Sequence, residues 1–238
     1  MVFREEILRR FLLPRFERME TIRNPRHLAA VVFAVVLVVL IFIGIYVQLP
    51  PRKLFPQEIR EYQGENLSSI SDVLENAIHG NQIINQSTYR LNVTGLVTTP
   101  KEYTYNQVVN GFPKYEKVVT LYCIQGWNAK ILWEGFLVRD LLNASGLNAT
   151  AKTVIFHAQD GYTTSMPINY FYNNDILMAY KMNGLVLPAE KGFPFELVAE
   201  SKYGYKWIKW ITQIELSDNA DYKGYWESRG YSNDATVP

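Results

Sequence analysis

Asp160-Gly161-Tyr162-Thr163-Thr164-Ser165-Met166-Pro167 reads as a tight turn leading into a short strand. Before it, Thr153 to Ala158 is a run of β-branched and apolar residues, so the two together read as strand, Asp-Gly turn, strand. The same pattern continues outward. Upstream, Val118-Val119-Thr120-Leu121-Tyr122-Cys123-Ile124 is a strand that runs into Gln125-Gly126-Trp127. Further upstream, Tyr89, Leu91 and Val93 alternate with Arg90, Asn92 and Thr94 ahead of Gly95, the period of a half-buried strand. Downstream, residues 176–180 read as a strand and Asn183-Gly184 is a strong hairpin dipeptide. Residues 195–199 and 208–216 complete the strand series. Short helices are expected at residues 67–74, capped by Ser69 or Ser71, at the end of residues 134–142, and at residues 168–174. Many short strands, few long helices and regular turns give an α+β class, a mixed and β-dominated domain.

The chain has 238 residues, and the part outside the first fifty or so, roughly 185 residues, suits one domain with a sizeable core. A net charge of +1 points to no strongly acidic or basic partner, and no Gly-rich phosphate loop or basic aromatic stripe marks a nucleic-acid binder. One cysteine excludes an internal disulfide framework, and three scattered histidines, His27, His79 and His157, form no zinc or haem set.

Residues 28–49 carry no charge and are rich in Val, Ile and Leu. As a helix they span roughly 33 Å, enough for a bilayer core of about 30 Å. The length and the want of an Ala-x-Ala site favour a transmembrane helix over a signal peptide. Residues 1–27 carry seven Arg against four Glu, which places them in the cytoplasm, either on the inner membrane surface or as a solvated arm. Residues 50–86 read as a linker with a short helix, and residues 87–238 as the globular domain, facing outward. Asn-x-Ser/Thr triplets at Asn66, Asn85, Asn92, Asn143 and Asn148 fit an exported domain.

Cys123 stands out among the chemistry-bearing residues. It is either an inert buried thiol or, as a thiolate, a soft ligand for a metal. Lys202-Tyr203-Gly204-Tyr205-Lys206-Trp207-Ile208-Lys209 reads either as a solvated strand edge or as a turn whose backbone and ammonium groups meet a phosphate. A cysteine, an Asp-Gly-Tyr turn and a lysine-studded Tyr-Gly-Tyr turn together frame a metal carried by a phosphorylated organic cofactor.

In order and spacing these segments resemble the molybdopterin-binding domain of the sulfite oxidase family. The resemblance runs from Tyr89 to about residue 232. It takes in Leu121 to Trp127, Asp160 to Pro167, Ala179-Tyr180, Asn183-Gly184, Leu187-Pro188, Lys202 to Lys209 and the tail Gly224-Tyr225-Trp226-Glu227. It implies that Cys123 supplies the protein thiolate to molybdenum, whose other sulfurs come from the pterin dithiolene. It implies that Gly204, Tyr205 and Lys206 hold the cofactor's phosphate end, with Lys202 and Lys209 adding to the field, and that Tyr162 stands near the metal and donates a hydrogen bond. Asp160 and Gly161 shape their turn.

The chain departs from the family at Lys191-Gly192-Phe193-Pro194-Phe195-Glu196, where relatives carry His or Asn and then Gly-x-Pro-x-Arg. Both changed positions contact the cofactor in relatives. Lys191 still offers a cation to a phosphate, whereas Glu196 puts an anion where relatives have a cation. Gln125 replaces an acidic residue two positions after the cysteine. No match is found to the cofactor-binding segment before the first strand, nor to the sulfite-binding arginines. The expectation is an outward-facing, membrane-anchored molybdenum-molybdopterin oxidoreductase without haem or dimerisation domain. It would transfer an oxygen atom to or from an S-oxide or similar small molecule and exchange electrons with a membrane cytochrome or another exported carrier. The rivals are a cofactor-free surface binding module and an accessory electron-transfer or assembly subunit that keeps the fold.

Overall fold

The computed structural model describes the backbone of residues 25–47 and the whole of residues 55–238. The chain divides into two compact units, residues 1–52 and 53–238. In the first, helix α1 spans Pro25–Val47, and its side chains are described at residues 28–41, all of them exposed. Among the described residues no helix is long and apolar enough to cross a membrane. The expected basic segment 1–27 lies almost wholly outside the described residues, as do residues 48 and 49 of the expected span.

The second unit begins with a small hairpin of β1 (Glu61–Tyr62) and β2 (Glu65–Asn66). There follow β3 (Arg90–Gly95), β4 (Lys101–Thr104), α2 (Tyr105–Gly111), β5 (Tyr115–Tyr122), β6 (Asn128–Leu137) and α3 (Val138–Ser145). The chain continues with β7 (Thr153–Ala158), β8 (Thr163–Pro167), α4 (Ile168–Asn173), β9 (Leu177–Met182), β10 (Leu185–Val186), β11 (Glu196–Val198) and β12 (Ile211–Ser217). One sheet runs β4-β3-β12-β7-β8, with β3 and β12 parallel and every other pair antiparallel. The other is antiparallel and runs β5-β6-β9, with β10 and β11 sharing the far edge of β9.

Both sheets contribute to one apolar cluster. Leu91, Val93, Phe156 and Ile214 come from the first sheet, and Ile131, Trp133, Phe136, Ala179 and Leu197 from the second, all nearly or wholly buried. Each large side chain of this kind contributes about 1.5–3 kcal/mol by leaving water. Gly135 lies at a bulge of β6 against β9, and a Cβ there would fall 2.3 Å from the Met178 carbonyl oxygen, so the close approach requires glycine. Asn183-Gly184 forms the expected hairpin between β9 and β10, both residues with positive φ. Asn183 does more than turn the chain. Fully buried, it accepts from Leu132 N (3.0 Å) and donates to Ser68 O (2.9 Å).

That bond marks one difference from the sequence reading. Of the stretch read as a linker with a short helix, the described residues 55–86 pack onto the domain. Leu67, Ile70 and Val73 are buried in the core, and Ser68 N donates to Lys130 O on β6 (2.8 Å). The expected helix is there only as one 3-10 turn, Ile70–Asp72, closed by a capping box between Ser69 and Asp72. A second difference is that β5 ends at Tyr122, so Cys123 opens the loop rather than ending the strand.

Candidate active site

The β5–β6 loop presents Cys123. Cys123 N donates to Trp127 O (2.9 Å) and Gly126 N to Cys123 O (3.0 Å), with Gly126 at positive φ, so the five-residue loop is a closed, locally determined turn. The cysteine is free and half-buried, and its Sγ lies 3.9 Å from Gln125 Oε1. A parallel bridge between Tyr122 and Tyr203 brings the 3-10 turn Gly204–Lys206 alongside. A Cβ on Gly204 would sit 3.8 Å from Cys123 Cα, an ordinary contact, so Gly204 faces the cysteine loop itself.

The β7–β8 turn closes the third side. Asp160 Oδ1 accepts from Tyr162 N (3.0 Å), an Asx-type turn, and Gly161 takes positive φ. Tyr162 donates its hydroxyl proton to Tyr205 O (2.5 Å), tying this turn to the Gly204 turn, and burial pushes that phenol well above its ordinary pKa. Tyr162 is therefore a neutral, committed donor.

Residues 73–78, which have no regular secondary structure, run across the same space. Lys191 Nζ pins them by donating to Val73 O (2.6 Å) and Glu75 Oε1 (2.9 Å). His79 Nδ1 lies 2.7 Å from Asp160 O and must carry the proton there. Burial alone would raise Glu75, but hydrogen bonds from Asn81 and Lys191 bring it below the usual carboxylate range.

These segments enclose a cavity of about 240 Å³. Of the residues singled out from sequence, Cys123, Tyr162, Lys191, Gly204 and Tyr205 all line it. Lys202 and Lys206 do not. Lys206 is wholly buried, its ammonium donating to Ser165 O, Glu227 Oε1 and Asn233 Oδ1 (2.9, 2.5 and 3.0 Å). Lys202 donates to Asp234 Oδ1 and Thr236 Oγ1 (2.8 and 2.7 Å). Lys206 makes three such bonds and Lys202 two, several of them to the C-terminal tail, so neither ammonium is presented to the cavity as the sequence led one to expect. The cations lining the cavity are Lys191 and Lys209, beside the buried Glu196. Residues 73–78 went unrecognised in the sequence, since no periodicity marks them and a lysine more than a hundred positions away fixes them. Trp127 was missed as well. Its Nε1 is buried without a hydrogen-bond partner among the described residues, and the side chain lines the cavity.

The donor set fits a molybdenum–molybdopterin group. A half-exposed thiol offers a soft ligand, two lysines supply positive charge, and the Trp127 side chain, whose indole N–H has no acceptor among the described residues, lines the same cavity.

Comparison with known proteins agrees. The chain is 34% identical over 144 residues to the uncharacterized oxidoreductase YuiH of Bacillus subtilis, covering 60% of this chain and 72% of that protein. It is 26% identical over 145 residues to the protein-methionine-sulfoxide reductase catalytic subunit MsrP of Ralstonia nicotianae, covering 55% of this chain and 44% of that protein. The sulfane dehydrogenase SoxCD of Paracoccus pantotrophus shares the fold, with a TM-score of 0.59 at 23% identity over 62% of this chain and 42% of that one. Residues 79–226 match the family model described as the oxidoreductase molybdopterin binding domain, and with that match the chain belongs to this family of molybdenum-cofactor oxidoreductases.

Proposed function

We propose that the chain is a membrane-anchored, outward-facing oxidoreductase that transfers an oxygen atom to or from a neutral S-oxide-type small molecule and exchanges electrons with a separate redox protein. The observation that carries the reading is the shared cavity, onto which the Cys123 loop and the Gly204–Tyr205 turn both open. When bound, the cofactor supplies the two-electron oxygen-transfer chemistry. Cys123 would hold the metal, Trp127 would form part of the cavity wall beside it, and Tyr162, through its bond to Tyr205 O, fixes the Gly204 turn.

The cavity lining also bears on the substrate. Leu74, Ala77, Ile78 and Ile124 give it apolar walls, and Leu74 and Ile124 are about half exposed, at 56% and 49%. Apolar walls favour an uncharged organic S-oxide over a small hydrated anion such as sulfite. The name of the Ralstonia relative points the same way. The anchor is supported by the uncharged run at residues 28–49, by the exposed apolar side chains of α1, and by the arginine-rich segment before it.

One preparation tests both parts. The full chain, produced in a host that makes the cofactor, is expected in the membrane fraction and resistant to alkaline carbonate. With a reduced dye as donor it is expected to turn over methyl sulfoxides at least about tenfold faster than, with an oxidised dye as acceptor, it oxidises sulfite, roughly 1.4 kcal/mol of discrimination. Release by carbonate would sink the anchor, and a preference for sulfite would sink the substrate class.

A further inference from the structure

Glu196 is a buried carboxylate lining a cavity that takes an anionic cofactor. It lies on β11 with 4% of its surface exposed. The cations whose charge acts on it are Lys209, from the stretch leading into β12, and Lys191, from the 3-10 turn Ala189–Lys191. Glu75, from residues 73–78, acts on both lysines' surroundings through its bond to Lys191 and its field at Lys209, and Asp160 acts on Lys209 from the β7–β8 turn. Gly192 makes room for this arrangement. A Cβ there would stand 3.1 Å from Lys209 Cβ and 3.3 Å from Glu196 Cβ.

The two lysines differ in their commitments. Lys191 gives two of its three N–H groups to Val73 O and Glu75 Oε1. Lys209 has the Glu190 carbonyl at 3.4 Å and the Trp210 ring at 4.2 Å, and the carboxylate acting most strongly on it is Glu196. An anion placed against these lysines competes directly with Glu196 for their field, and a charged Glu196 repels it.

We propose that Glu196 is a proton-coupled member of the cofactor's anion subsite, held protonated while the anionic end of molybdopterin lies against Lys191 and Lys209 and free to ionise in alkaline solution once that end departs. This rests on the cofactor assignment above and adds to it a role for a residue whose charge opposes the ligand.

Burial already pushes Glu196 up to about 8, against the pull of Lys209 and Lys191. A bound anion cancels that pull and adds repulsion, raising the carboxyl further. Between the two values, binding takes up one proton, so the dissociation constant rises about tenfold per pH unit above pH 8. Below pH 8 this group imposes no slope. Glu196→Gln holds the neutral form permanently and removes this carboxyl's share of the slope, leaving only what Lys209, held below its usual range by burial, contributes.

The test is molybdenum and pterin content, by elemental analysis and by fluorescence of the oxidised pterin, after equilibrium dialysis of the loaded full chain from pH 7 to 9.5. The wild type is expected to lose cofactor above pH 8, while Glu196→Gln keeps it, binding at least about tenfold tighter at pH 9.5. Wild-type content that is flat across this range overturns the proposal whatever the variant does. So does an equal slope in both proteins, and either result leaves the cofactor assignment standing. A chain that never carries molybdenum or pterin at any pH overturns the assignment and the proposal together.

Discussion

Cys123→Ser is expected to lower turnover by more than about 100-fold, since even residues behind a metal's ligands cost 10–100-fold when removed, and Cys123 is the proposed ligand itself. Molybdenum content is expected to fall with it. Stability is not: the thiol is half-buried, its one hydrogen-bonding contact is 3.9 Å long, and the loop is closed by the backbone bonds of Cys123 with Trp127 and Gly126. The oxygen-for-sulfur exchange should stay within about 0.5 kcal/mol, as for other substitutions outside the core. Thermal melting of the metal-free chain therefore separates the variants cleanly. An unchanged melt with lost metal marks a ligand, and a collapsed melt marks a packing residue.

Lys206→Met is expected to show the opposite pattern. Lys206 and Glu227 are both wholly buried at their side chains and paired at 2.5 Å, with Thr164 Oγ1 donating to the same carboxylate oxygen at 2.6 Å. Glu227 Oε2 has no hydrogen-bond partner among the described residues. Removing the ammonium leaves a buried carboxylate whose remaining donor is one hydroxyl, a loss of about 3–5 kcal/mol. For a domain of this size that lowers the melting temperature by roughly 10 °C. The double variant Lys206→Met/Glu227→Gln should recover part of the loss, because no uncompensated charge is left. Had Lys206 held a phosphate, the metal-free melt would be insensitive and cofactor content would drop; the expected result is a lower melt in the metal-free chain itself.

Local sequence was a good guide where local chemistry decides. The Asn183-Gly184 and Asp160-Gly161 turns, the alternation along β3, and the loop carrying Cys123 depend on residues within a few positions of one another. Five of the seven proposed site residues line one cavity for the same reason, since they lie at the ends of recognisable strands and turns. Position in sequence is silent about which acceptors a lysine meets. Lys206 looked like a phosphate ligand until Glu227 and Asn233, from the tail, were seen to close around it. Residues 101–111 carried a readable signal that went unused: Thr104 and Gln107 form a capping box at the start of α2, a Thr-x-x-Gln pattern. Residues 73–78 carried none, because they are placed by Lys191 and the Asp160 carbonyl, contacts no period or propensity encodes. Glu196 was legible as a departure in charge, but its burial between two lysines emerged only from the packing around Gly192.

The claim beneath all of this is that the sulfur of Cys123 is bonded to the metal. Molybdenum K-edge X-ray absorption on the loaded wild-type chain counts the sulfurs around the metal. Ligation by Cys123, as proposed, predicts one more than the pterin dithiolene supplies. A shell holding the dithiolene sulfurs alone, with oxygen in the remaining positions, would contradict it.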